Sequence, residues 1–339
     1  MEIECDSLDG VLWRLYKAIK AEGRRHGGGT RGASQEMLGI SIRITKPRAR
    51  ISRSENRGKP FSAMGELLWY LSGSDRLDFI ENYVPEYRKD AVDGILEGAY
   101  GPRLTAMRGS VNQFDSVFHL LSRKAGSRRA VIQLFNAEDI ATEHKEIPCT
   151  TTMQFHLREG LLHMSVTMRS NDAYWGLPHD VFCFTMLQEM MARRLAVELG
   201  EYHQYVGSMH VYEKYLAGVD EYITEGFQQT SEMPPMPAGD PFAIVDRLLA
   251  IEAKLRAGED VDASAEAGDP YWADLVRLLQ VFWVREKGDD RTGRLEQLRA
   301  QFVAPLYKPY VDGRLHAARK AAGKAKSAEF SGGAADVAQ

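Results

Sequence analysis

The stretch TMQFHLREGLLHMSVTM, residues 152–168, decides the fold class of this chain. Apolar and polar residues alternate in both halves, as they do in half-buried β-strands. Between the halves lies REG, which places Gly160 where a hairpin turn needs a glycine. A further strand-like run, AVIQLF, occupies residues 130–135. The centre of the chain is therefore predicted to be rich in strands.

Helical patterns lie on both sides of these strands. Residues 7–22 repeat apolar side chains at helical spacing, and Ser62 is placed to cap a helix through SAMGELLWYLSG. Over about 179–195 the apolar residues spread around the whole helix, so this helix should be buried on most sides. We predict an α/β fold of the α+β type, with a large mixed sheet and surrounding helices.

The composition changes after residue 231. The sequence MPPMPAGDP is typical of a linker, and amphipathic helices are predicted near 241–256, 270–286 and 291–303. The last residues are poor in large apolar side chains, which favours disorder. We expect three segments: a core at 1–231, a helical C-terminal extension of the same domain at 232–315, and a disordered tail at 316–339.

Composition and charge argue against several classes of protein. A net charge of -4 disfavours a protein that coats nucleic acid non-specifically. The 3 cysteines lack CxxC spacing, so we expect neither a disulfide framework nor a metal site. Such sparse cysteines favour a reducing, cytoplasmic compartment. An acidic N-terminal sequence and the lack of an apolar run of about 18 residues disfavour a signal peptide and a membrane span.

Several polar residues are ambiguous when each is considered by itself. Glu66 lies beside the apolar stripe of its helix, where a carboxylate at the rim is the simpler interpretation. Cys149 opens a strand, and a lone cysteine is more often inert than nucleophilic. His210 and Tyr212 would share one face of a strand. Arginines at strand ends suit phosphate or a solvated surface, and the candidates are Arg128, Arg129 and Arg169.

The segment RRHGGGTRGAS, residues 24–34, is rich in glycine and arginine. It is either a flexible loop or an anion-binding lid, because the arginine fork matches phosphate oxygens. No GK[ST] follows it, so it is not a P-loop.

The order of the polar residues along the chain is more specific than any one of them. The series is Glu66, Tyr100, Arg128-Arg129, Pro148-Cys149, Arg169-Ser170-x-Asp172, Gly176-Leu177-Pro178 and His210-x-Tyr212. It resembles the thymidylate synthase family, which shows ELLW, YG, SRR, PC, RSxD, GLP and HxY in this order. The resemblance covers roughly residues 7–215. It implies a thymidylate-synthase-like fold, 5,10-methylenetetrahydrofolate as cosubstrate and a pyrimidine nucleoside monophosphate as substrate.

The resemblance implies chemical roles for particular side chains. Cys149 resembles the thiolate that attacks C6 of the pyrimidine. Glu66 is similar to the glutamate that handles protons through ordered water, and Tyr100 to the tyrosine that assists proton removal at C5. Asn136 matches an asparagine with a supporting role at most.

Binding roles are implied in the same way. Arg169 and Ser170 resemble ligands of the phosphate, and Asp172 resembles the residue that contacts the folate pterin. Arg128 and Arg129 are similar to arginines that reach into the site of the other subunit, which implies a homodimer.

The sugar and the lid complete the resemblance. His210 and Tyr212 are similar to the pair on the sugar 3'-hydroxyl. The lid arginine is best matched by Arg31, although Arg24 or Arg25 could serve.

One departure from the family concerns the pyrimidine base. Two residues after GLP, thymidylate synthases have an asparagine that pairs with O4 and N3–H of uracil, whereas this chain has Asp180. Cytosine instead offers an amino group that donates and an N3 that accepts. A carboxyl group can accept from that amino group and share a proton with N3, which makes C6 more electrophilic. The departure resembles the cytidylate 5-hydroxymethylase branch of the family.

That branch contains the mildiomycin-type CMP hydroxymethylase of nucleoside antibiotic biosynthesis and phage dCMP enzymes. It implies one-carbon transfer to C5 of CMP or dCMP, capture by water, and release of a 5-hydroxymethylcytidylate and tetrahydrofolate. Overall likeness favours CMP, but no residue distinguishes the two sugars.

Two further departures favour capture by water. Residues 81–101 lack the tryptophan that packs on the folate in methylating members of the family. Glu146 stands where a leucine usually precedes the PC pair. A more polar site would let water reach the exocyclic methylene carbon before a hydride arrives.

Three alternatives stay open. Asp180 could be a structural helix cap, since it follows Pro178 and precedes an apolar helix. The chain could be a thymidylate synthase that acts on dUMP, or a non-catalytic relative that binds nucleotide or RNA. The intact Cys149, Glu66 and arginine set argues against the non-catalytic relative.

Overall fold

The computed structural model describes residues 1–28, 31–54, 57–284 and 290–332, with side chains through residue 321. These residues divide into two compact units at the bond between Leu249 and Ala250. The first unit contains the sheet, and the second is helical. In the described part of the chain, no helix is both long and apolar enough to cross a membrane.

The elements follow one another along the chain as strands and helices. The strands are β1 (Glu2–Cys5), β2 (Arg24–His26), β3 (Ser34–Ile44), β4 (Val131–Gln133), β5 (Thr150–Arg158), β6 (Leu161–Asp172) and β7 (Glu198–Tyr212). The helices of the first unit are α1 (Leu8–Glu22), α2 (Pro60–Leu71), α3 (Leu77–Ile80), α4 (Tyr100–Thr105), α5 (Gln113–Arg123), α6 (Glu138–Ala141), α7 (Gly176–Arg194) and α8 (Leu216–Glu225). Helix α9 (Val245–Ala257) crosses the boundary, and α10 (Ala263–Ala267), α11 (Pro270–Trp283), α12 (Arg291–Gln301) and α13 (Lys308–Gly332) belong to the second unit.

The strands of the described residues form one mixed sheet in the order β1-β3-β7-β6-β5-β4, with β2 paired to β3. Strands β5 and β6 pair antiparallel with Arg158 opposite Leu161, as the hairpin pattern predicts. Strands β6 and β7 pair in parallel. The predicted α/β fold, a mixed sheet with surrounding helices, is confirmed.

Helix α7 covers one face of this sheet. Alternate residues of β6, such as Met164 and Val166, are buried, and so is Leu187 of the helix. Pro178 is tolerated at the third helical position because N–H groups of the first turn have no acceptor within the helix. Truncating a fully buried leucine such as Leu187 to alanine costs about 2–5 kcal/mol. This packing fixes the position of the residues at the start of α7.

The opposite face of the sheet is less covered. It carries the half-buried side chains of His163, Ser165 and His203, and Tyr205 is 47% exposed. An exposed tyrosine in the middle of a long strand leaves apolar surface available for contact with another molecule.

Helix α2 begins three residues earlier than the predicted cap at Ser62 implies. Its first residue is Pro60, whose fixed φ suits that position, and the preceding Lys59 makes no side-chain cap. The prediction that Ser62 caps this helix is therefore wrong. Ser62 lies within the first turn instead, and its Oγ is 3.0 Å from Nε2 of His179.

The predicted linker after residue 231 is packed against the first unit. Met233 and Met236 are 2% and 1% exposed, and their N–H groups donate to Arg48 O and to the Glu189 carboxylate. These two side chains are the buried ones between residues 231 and 240, and the prolines beside them prevent regular structure. The predicted boundary at 231 therefore lies inside the first unit, and the helices from Ala250 form a unit of their own.

The C-terminal tail also differs from its prediction. Helix α13 extends to Gly332 through much of the segment 316–339 that was expected to be disordered. Alanine and lysine are strong helix formers, so a segment with few large apolar residues can still be helical. Residues 333–339 lie outside the described residues.

Candidate active site

A cavity of about 450 Å³ in the first unit is lined by α2, the start of α7 and the ends of β6 and β7. The predicted site residues on its wall are Arg31, Glu66, Tyr100, Cys149, Ser170, Asp172, Asp180 and Tyr212. The fold thus brings residues from distant parts of the sequence to one space.

Cys149 lies directly before β5, and its nearest cation is Arg169. Nη2 of Arg169 is 3.6 Å from Cys149 Sγ, and the same guanidinium donates to Pro148 O at 2.9 Å and Ile147 O at 3.0 Å. Burial raises the pKa of the Cys149 thiol, and the positive charges of Arg169 and Arg31 lower it only in part. The arginine is therefore placed to stabilise a thiolate once the proton leaves.

Tyr100 is the first residue of α4 and is fixed beside Cys149. Its hydroxyl donates to Thr150 Oγ1 at 3.0 Å and accepts from Thr150 N–H at 3.0 Å. Burial raises the pKa of this phenol well above its ordinary value. Tyr100 therefore stays neutral at pH 7 and can pass a proton only through its hydrogen bonds.

Glu66 is buried in the cavity wall, not at the rim of its helix, and is 5% exposed. Its Oε1 accepts from Tyr70 at 3.1 Å and from Tyr87 at 2.9 Å, and Nδ1 of His179 lies 3.2 Å from Oε2. Burial raises the pKa of Glu66, but these donors outweigh it and the pKa lies below its usual range. The carboxylate is therefore held in its charged form.

Asp180 has the opposite environment. Burial and the negative charges of Glu66 and Asp172 raise the pKa of Asp180 well above its ordinary value, and a hydrogen bond with Asn171 lowers it only in part. Asp180 is the fifth residue of α7, whose cap position is Trp175. The interpretation of Asp180 as a helix cap is thus wrong, and its carboxyl group faces the cavity.

The ends of β6 and β7 supply the next part of the wall. Asp172 lies opposite His210 in the parallel register, and its Oδ1 accepts from Tyr174 N–H at 2.9 Å. Burial raises the pKa of Asp172. The rings of His210 and Tyr212 meet edge to face with centroids 4.9 Å apart. Tyr212 lines the cavity, whereas His210 contacts the Tyr212 ring without lining the cavity.

The three candidate lid arginines differ in whether they line the cavity. Arg31 lines the cavity and pairs with Asp90, while Arg25 pairs with Glu213, Nε to Oε1 at 2.7 Å. Arg24 is an exposed residue of β2 and does not line the cavity. Gly29 and Thr30, within the same segment, lie outside the described residues.

Besides Arg24 and Arg25, five residues of the predicted set do not line this cavity. Arg169 contacts Cys149 and His210 contacts Tyr212, whereas the other three lie elsewhere. Arg128 and Arg129 are exposed at the edge strand β4. Asn136 is buried and its Nδ2 donates to Met107 Sδ at 3.5 Å. Within one chain, none of the three contributes to the wall.

Sequence reasoning missed four residues that control the carboxyl groups. His179, Tyr70 and Tyr87 contact Glu66, and Asn171 contacts Asp180. The adjacency of His179 to Asp180 was a usable signal. No local pattern marks Tyr87, because only tertiary packing brings its short 3-10 helix, Pro85–Lys89, over α2.

One group among the described residues has donor atoms close enough to hold a metal ion: His163, Glu201 and His203. Arg43 already donates to both oxygens of Glu201, at 2.6 and 3.0 Å. Nδ1 of His163 accepts from Glu201 N–H at 3.1 Å. Two of these three residues are engaged with protein donors, and the expectation that no metal is bound stays a prediction.

Known proteins resemble this chain over the same region. Residues 16–238 match the family model for thymidylate synthase. The deoxyuridylate hydroxymethyltransferase of Bacillus phage SP01 is 30% identical over 223 residues, which is 61% of this chain and 58% of that protein. The enzyme of the same name from Pseudomonas phage M6 is 32% identical over 167 residues, 48% of this chain and 47% of that protein.

A second kind of relative is the thymidylate synthase of Bacillus subtilis subsp. natto. It is 33% identical over 165 residues, 46% of this chain and 58% of that protein. The chain therefore spans less than two thirds of the length of each of these relatives. The family match covers more than half of the chain and includes every cavity residue described above. This chain belongs to the thymidylate synthase family.

Proposed function

We propose that the chain is a cytidylate 5-hydroxymethyltransferase. It transfers a one-carbon unit from 5,10-methylenetetrahydrofolate to C5 of CMP or dCMP, adds water, and releases a 5-hydroxymethylcytidylate and tetrahydrofolate. The observation that carries this proposal is Asp180, a carboxyl group on the cavity wall whose pKa is raised by burial and by neighbouring carboxylates. The names of the phage relatives support hydroxymethyl transfer to a pyrimidine nucleotide as the reaction class.

Asp180 suits cytosine because it carries a transferable proton. Its carbonyl oxygen accepts from the 4-amino group, and its O–H donates to N3. When a nucleophile adds to C6, negative charge develops toward N3, and the carboxyl proton neutralises it there. An amide has no such proton to transfer, and uracil, which already has a hydrogen on N3, needs none.

The nucleophile and the proton carriers lie around that base. Cys149 attacks C6 as the thiolate, which the guanidinium of Arg169 at 3.6 Å stabilises. Glu66, held as the anion, accepts and returns protons at the base. Tyr100, fixed by Thr150, is positioned to assist removal of the C5 proton.

Capture by water is supported by the polar character of the nearby wall. Glu86, Lys89 and Asp90 line the cavity in the segment that lacks the tryptophan of the methylating enzymes. Glu146 lies close enough to affect Cys149, and burial raises the pKa of Glu146 to about 7. Charged and hydrogen-bonding groups retain water where an indole would exclude it.

Two wall residues fit a bound folate. The Asp172 carboxyl group can accept hydrogen bonds from pterin N–H groups, and the Trp175 ring, 38% exposed, offers a stacking surface. When bound, 5,10-methylenetetrahydrofolate supplies an electrophilic carbon at the oxidation level of formaldehyde.

The phosphate is bound by Ser170, Arg169 and Arg31 in this proposal, with arginines of a second subunit. Arg128 and Arg129 are exposed at the sheet edge and serve the site of the partner, so the enzyme is a homodimer. The less covered face of the sheet, with Tyr205 exposed, is the surface available for that contact. His210 and Tyr212 bind the sugar, and CMP is preferred to dCMP on overall likeness.

A thymidylate synthase acting on dUMP is the second candidate, since the Bacillus subtilis subsp. natto relative carries that name. Asp180 disfavours it, because the acid replaces the amide that pairs with uracil. A non-catalytic role is disfavoured by the assembled set of Cys149, Glu66 and Tyr100 on one wall.

Product analysis tests the proposal. The protein is incubated with 5,10-methylenetetrahydrofolate and, separately, with CMP, dCMP, UMP and dUMP, and the nucleotide products are identified by mass. A 5-hydroxymethylcytidylate without dihydrofolate is expected, because water rather than hydride completes the reaction. Formation of thymidylate matched by dihydrofolate would overturn the proposal.

A further inference from the structure

Two carboxyl groups with opposite environments lie on the cavity wall, and the residue next to one of them contacts the other. His179 is the fourth residue of α7, lines the cavity, and has 12% of its side chain exposed. Its Nδ1 lies 3.2 Å from Glu66 Oε2, and its Nε2 lies 3.0 Å from Ser62 Oγ. Ser62 and Glu66 are four residues apart on α2, so they share one face of that helix.

The Ser62–His179–Glu66 chain orients the imidazole in either protonation state. With a hydrogen on Nδ1, the ring can donate to Oε2 of Glu66, a buried oxygen that has no other hydrogen-bond partner. In the neutral ring, Nε2 accepts from the Ser62 hydroxyl. In the charged ring, Nε2 donates to Ser62 Oγ, whose hydrogen can turn to Lys59 O at 3.5 Å. Both arrangements keep a donor on Glu66.

The two carboxyl groups receive very different numbers of donors. Glu66 is contacted by His179, Tyr70 and Tyr87, which come from three separate elements. Asp180 is contacted by the Asn171 amide and faces the negative charges of Glu66 and Asp172. Donors favour the anion, and nearby anions favour the neutral acid. The contacts therefore place the charge on Glu66 and the proton on Asp180.

The other groups around the pair do not reverse this arrangement. Asp180 also faces Tyr100, Tyr202, Cys149 and Cys183, and burial raises the pKa of each of them. They remain largely protonated at pH 7. On its other side His179 borders a small pocket lined by Arg50, Arg57 and Lys59.

We infer that His179 is a positioning residue that sets the charges of the two carboxyl groups in this cavity. It holds Glu66 as the anion, so that Asp180 remains the neutral acid that a cytosine ring requires. This inference rests on the proposed function and adds to it the group that sets the charge of the base-recognising carboxyl.

As Cys149 Sγ bonds to C6, the displaced electron pair moves through C5 and C4 to N3. The Asp180 proton joins N3, and it returns when the cysteine is eliminated.

Substitution of His179 separates this role from simple packing. His179→Phe removes the donor, so Glu66 becomes less acidic and Asp180 more acidic. The acidic limit of kcat/KM for the cytosine nucleotide then moves up and the alkaline limit moves down. A shift of about one pH unit at the alkaline limit lowers kcat/KM about tenfold at any pH above both limits. His179→Asn retains a donor toward Glu66, so its pH profile of kcat/KM should be as wide as that of the parent. Ser62→Ala should narrow the profile less than His179→Phe does.

A binding measurement gives a readout that needs no turnover. In Cys149→Ser protein, calorimetry in two buffers reports protons taken up when CMP binds at pH 7. Uptake should be near zero, because Asp180 already carries the proton, and should rise toward about one proton when His179→Phe is added. The measurement without the His179 substitution is informative even if His179→Phe does not fold. Uptake of one full proton on CMP binding would by itself contradict a neutral Asp180.

The outcomes distinguish this inference from the proposed function. Parent protein that converts neither CMP nor dCMP overturns the proposed function. Parent protein that converts them, with an equally broad pH profile and unchanged proton uptake in a folded His179→Phe variant, overturns the inference about His179 alone.

Discussion

Among single residues, Cys149 shows how burial and charge compete at the proposed nucleophile. Burial raises the pKa of its thiol, and Arg169, with Nη2 at 3.6 Å, opposes that effect. The arginine is itself fixed by two backbone carbonyls. Its charge is therefore available to the thiolate without a change of conformation.

Cys149→Ser should abolish turnover and leave nucleotide affinity within a few-fold of the parent. A serine hydroxyl is a far weaker nucleophile near neutral pH, whereas the phosphate is bound by other groups. Steady-state kinetics and calorimetric titration with CMP measure the two effects. Cys5→Ser, a change outside the cavity, is the control and should retain activity. Turnover within tenfold of the parent would rule out covalent attack by this thiol.

Glu146 gives a stability prediction whose sign depends on pH. Burial, followed by the charge of Asp90, raises the pKa of Glu146 from 4.5 to about 7. A carboxyl with a raised folded pKa stabilises the fold at low pH and loses that contribution as the pH rises through 7. Glu146→Gln should therefore gain stability relative to the parent between pH 5 and pH 8, by about 3 kcal/mol at most. Denaturant unfolding at both pH values checks this, and an equal difference at the two would contradict it.

The order of the motifs predicted which residues lie together better than it predicted their environments. Cys149, Glu66 and Asp180 belong to motifs whose succession is specific, and all three line one cavity. The charge states could not be read from the sequence. They depend on Tyr87 and His179, which reach Glu66 only after α7 and the segment before α4 have packed on α2.

Among elements, helix α2 depends on a close contact at Gly65. A β-carbon at this position would lie 2.2 Å from ring carbons of Tyr83, which is 4% exposed. The segment after Tyr83 carries Tyr87, a donor to Glu66. A methyl group at 65 would therefore displace a wall of the cavity as well as a core side chain.

Gly65→Ala should destabilise the protein by about 1–3 kcal/mol through overpacking. Alanine is favoured over glycine in a helix by about 1 kcal/mol, so propensity alone predicts the opposite sign. The matched control is Gly313→Ala in α13, where a β-carbon meets no described atom within 4 Å and a small gain is expected. Thermal unfolding of both variants measures the two effects. Stabilisation by Gly65→Ala would contradict the prediction, because it would show that the Tyr83 ring can move away from the added methyl group.

Local patterns predicted the long elements but not all of their boundaries. The alternation in β5 and β6 and the apolar surface of α7 were sufficient to predict those elements. The start of α2 was misplaced because the preference of Pro60 for the first helical position outweighs the capping tendency of Ser62.

In the whole molecule, a homodimer should contain composite sites, because Arg128 and Arg129 are exposed and away from the cavity of their own chain. Mixing Arg129→Ala with Cys149→Ser chains, each inactive alone, creates heterodimers with one intact site. After full exchange about a quarter of the parent activity is expected from random pairing. Arg24→Ala, an exposed arginine outside the cavity, is the control that should stay active without mixing. Exchange without any recovery of activity would show that Arg129 does not act across subunits.

The organisation of the whole chain was the hardest to predict. The segment around Met233 and Met236 has the proline content of a linker, yet both methionines are buried in the first unit. Proline and glycine report only the local backbone, whereas a unit boundary depends on which distant surfaces the apolar residues cover.

The most direct test of the central claim is the base preference of Asp180→Asn. The amide is an equally good helix former at this position but has no proton to give to cytosine N3. Sites built on hydrogen bonds discriminate by ~10⁴-fold or more. We therefore predict that kcat/KM for the cytosine nucleotide relative to the uracil nucleotide falls by orders of magnitude in this variant. An unchanged preference for cytosine in a folded, active variant would contradict the account.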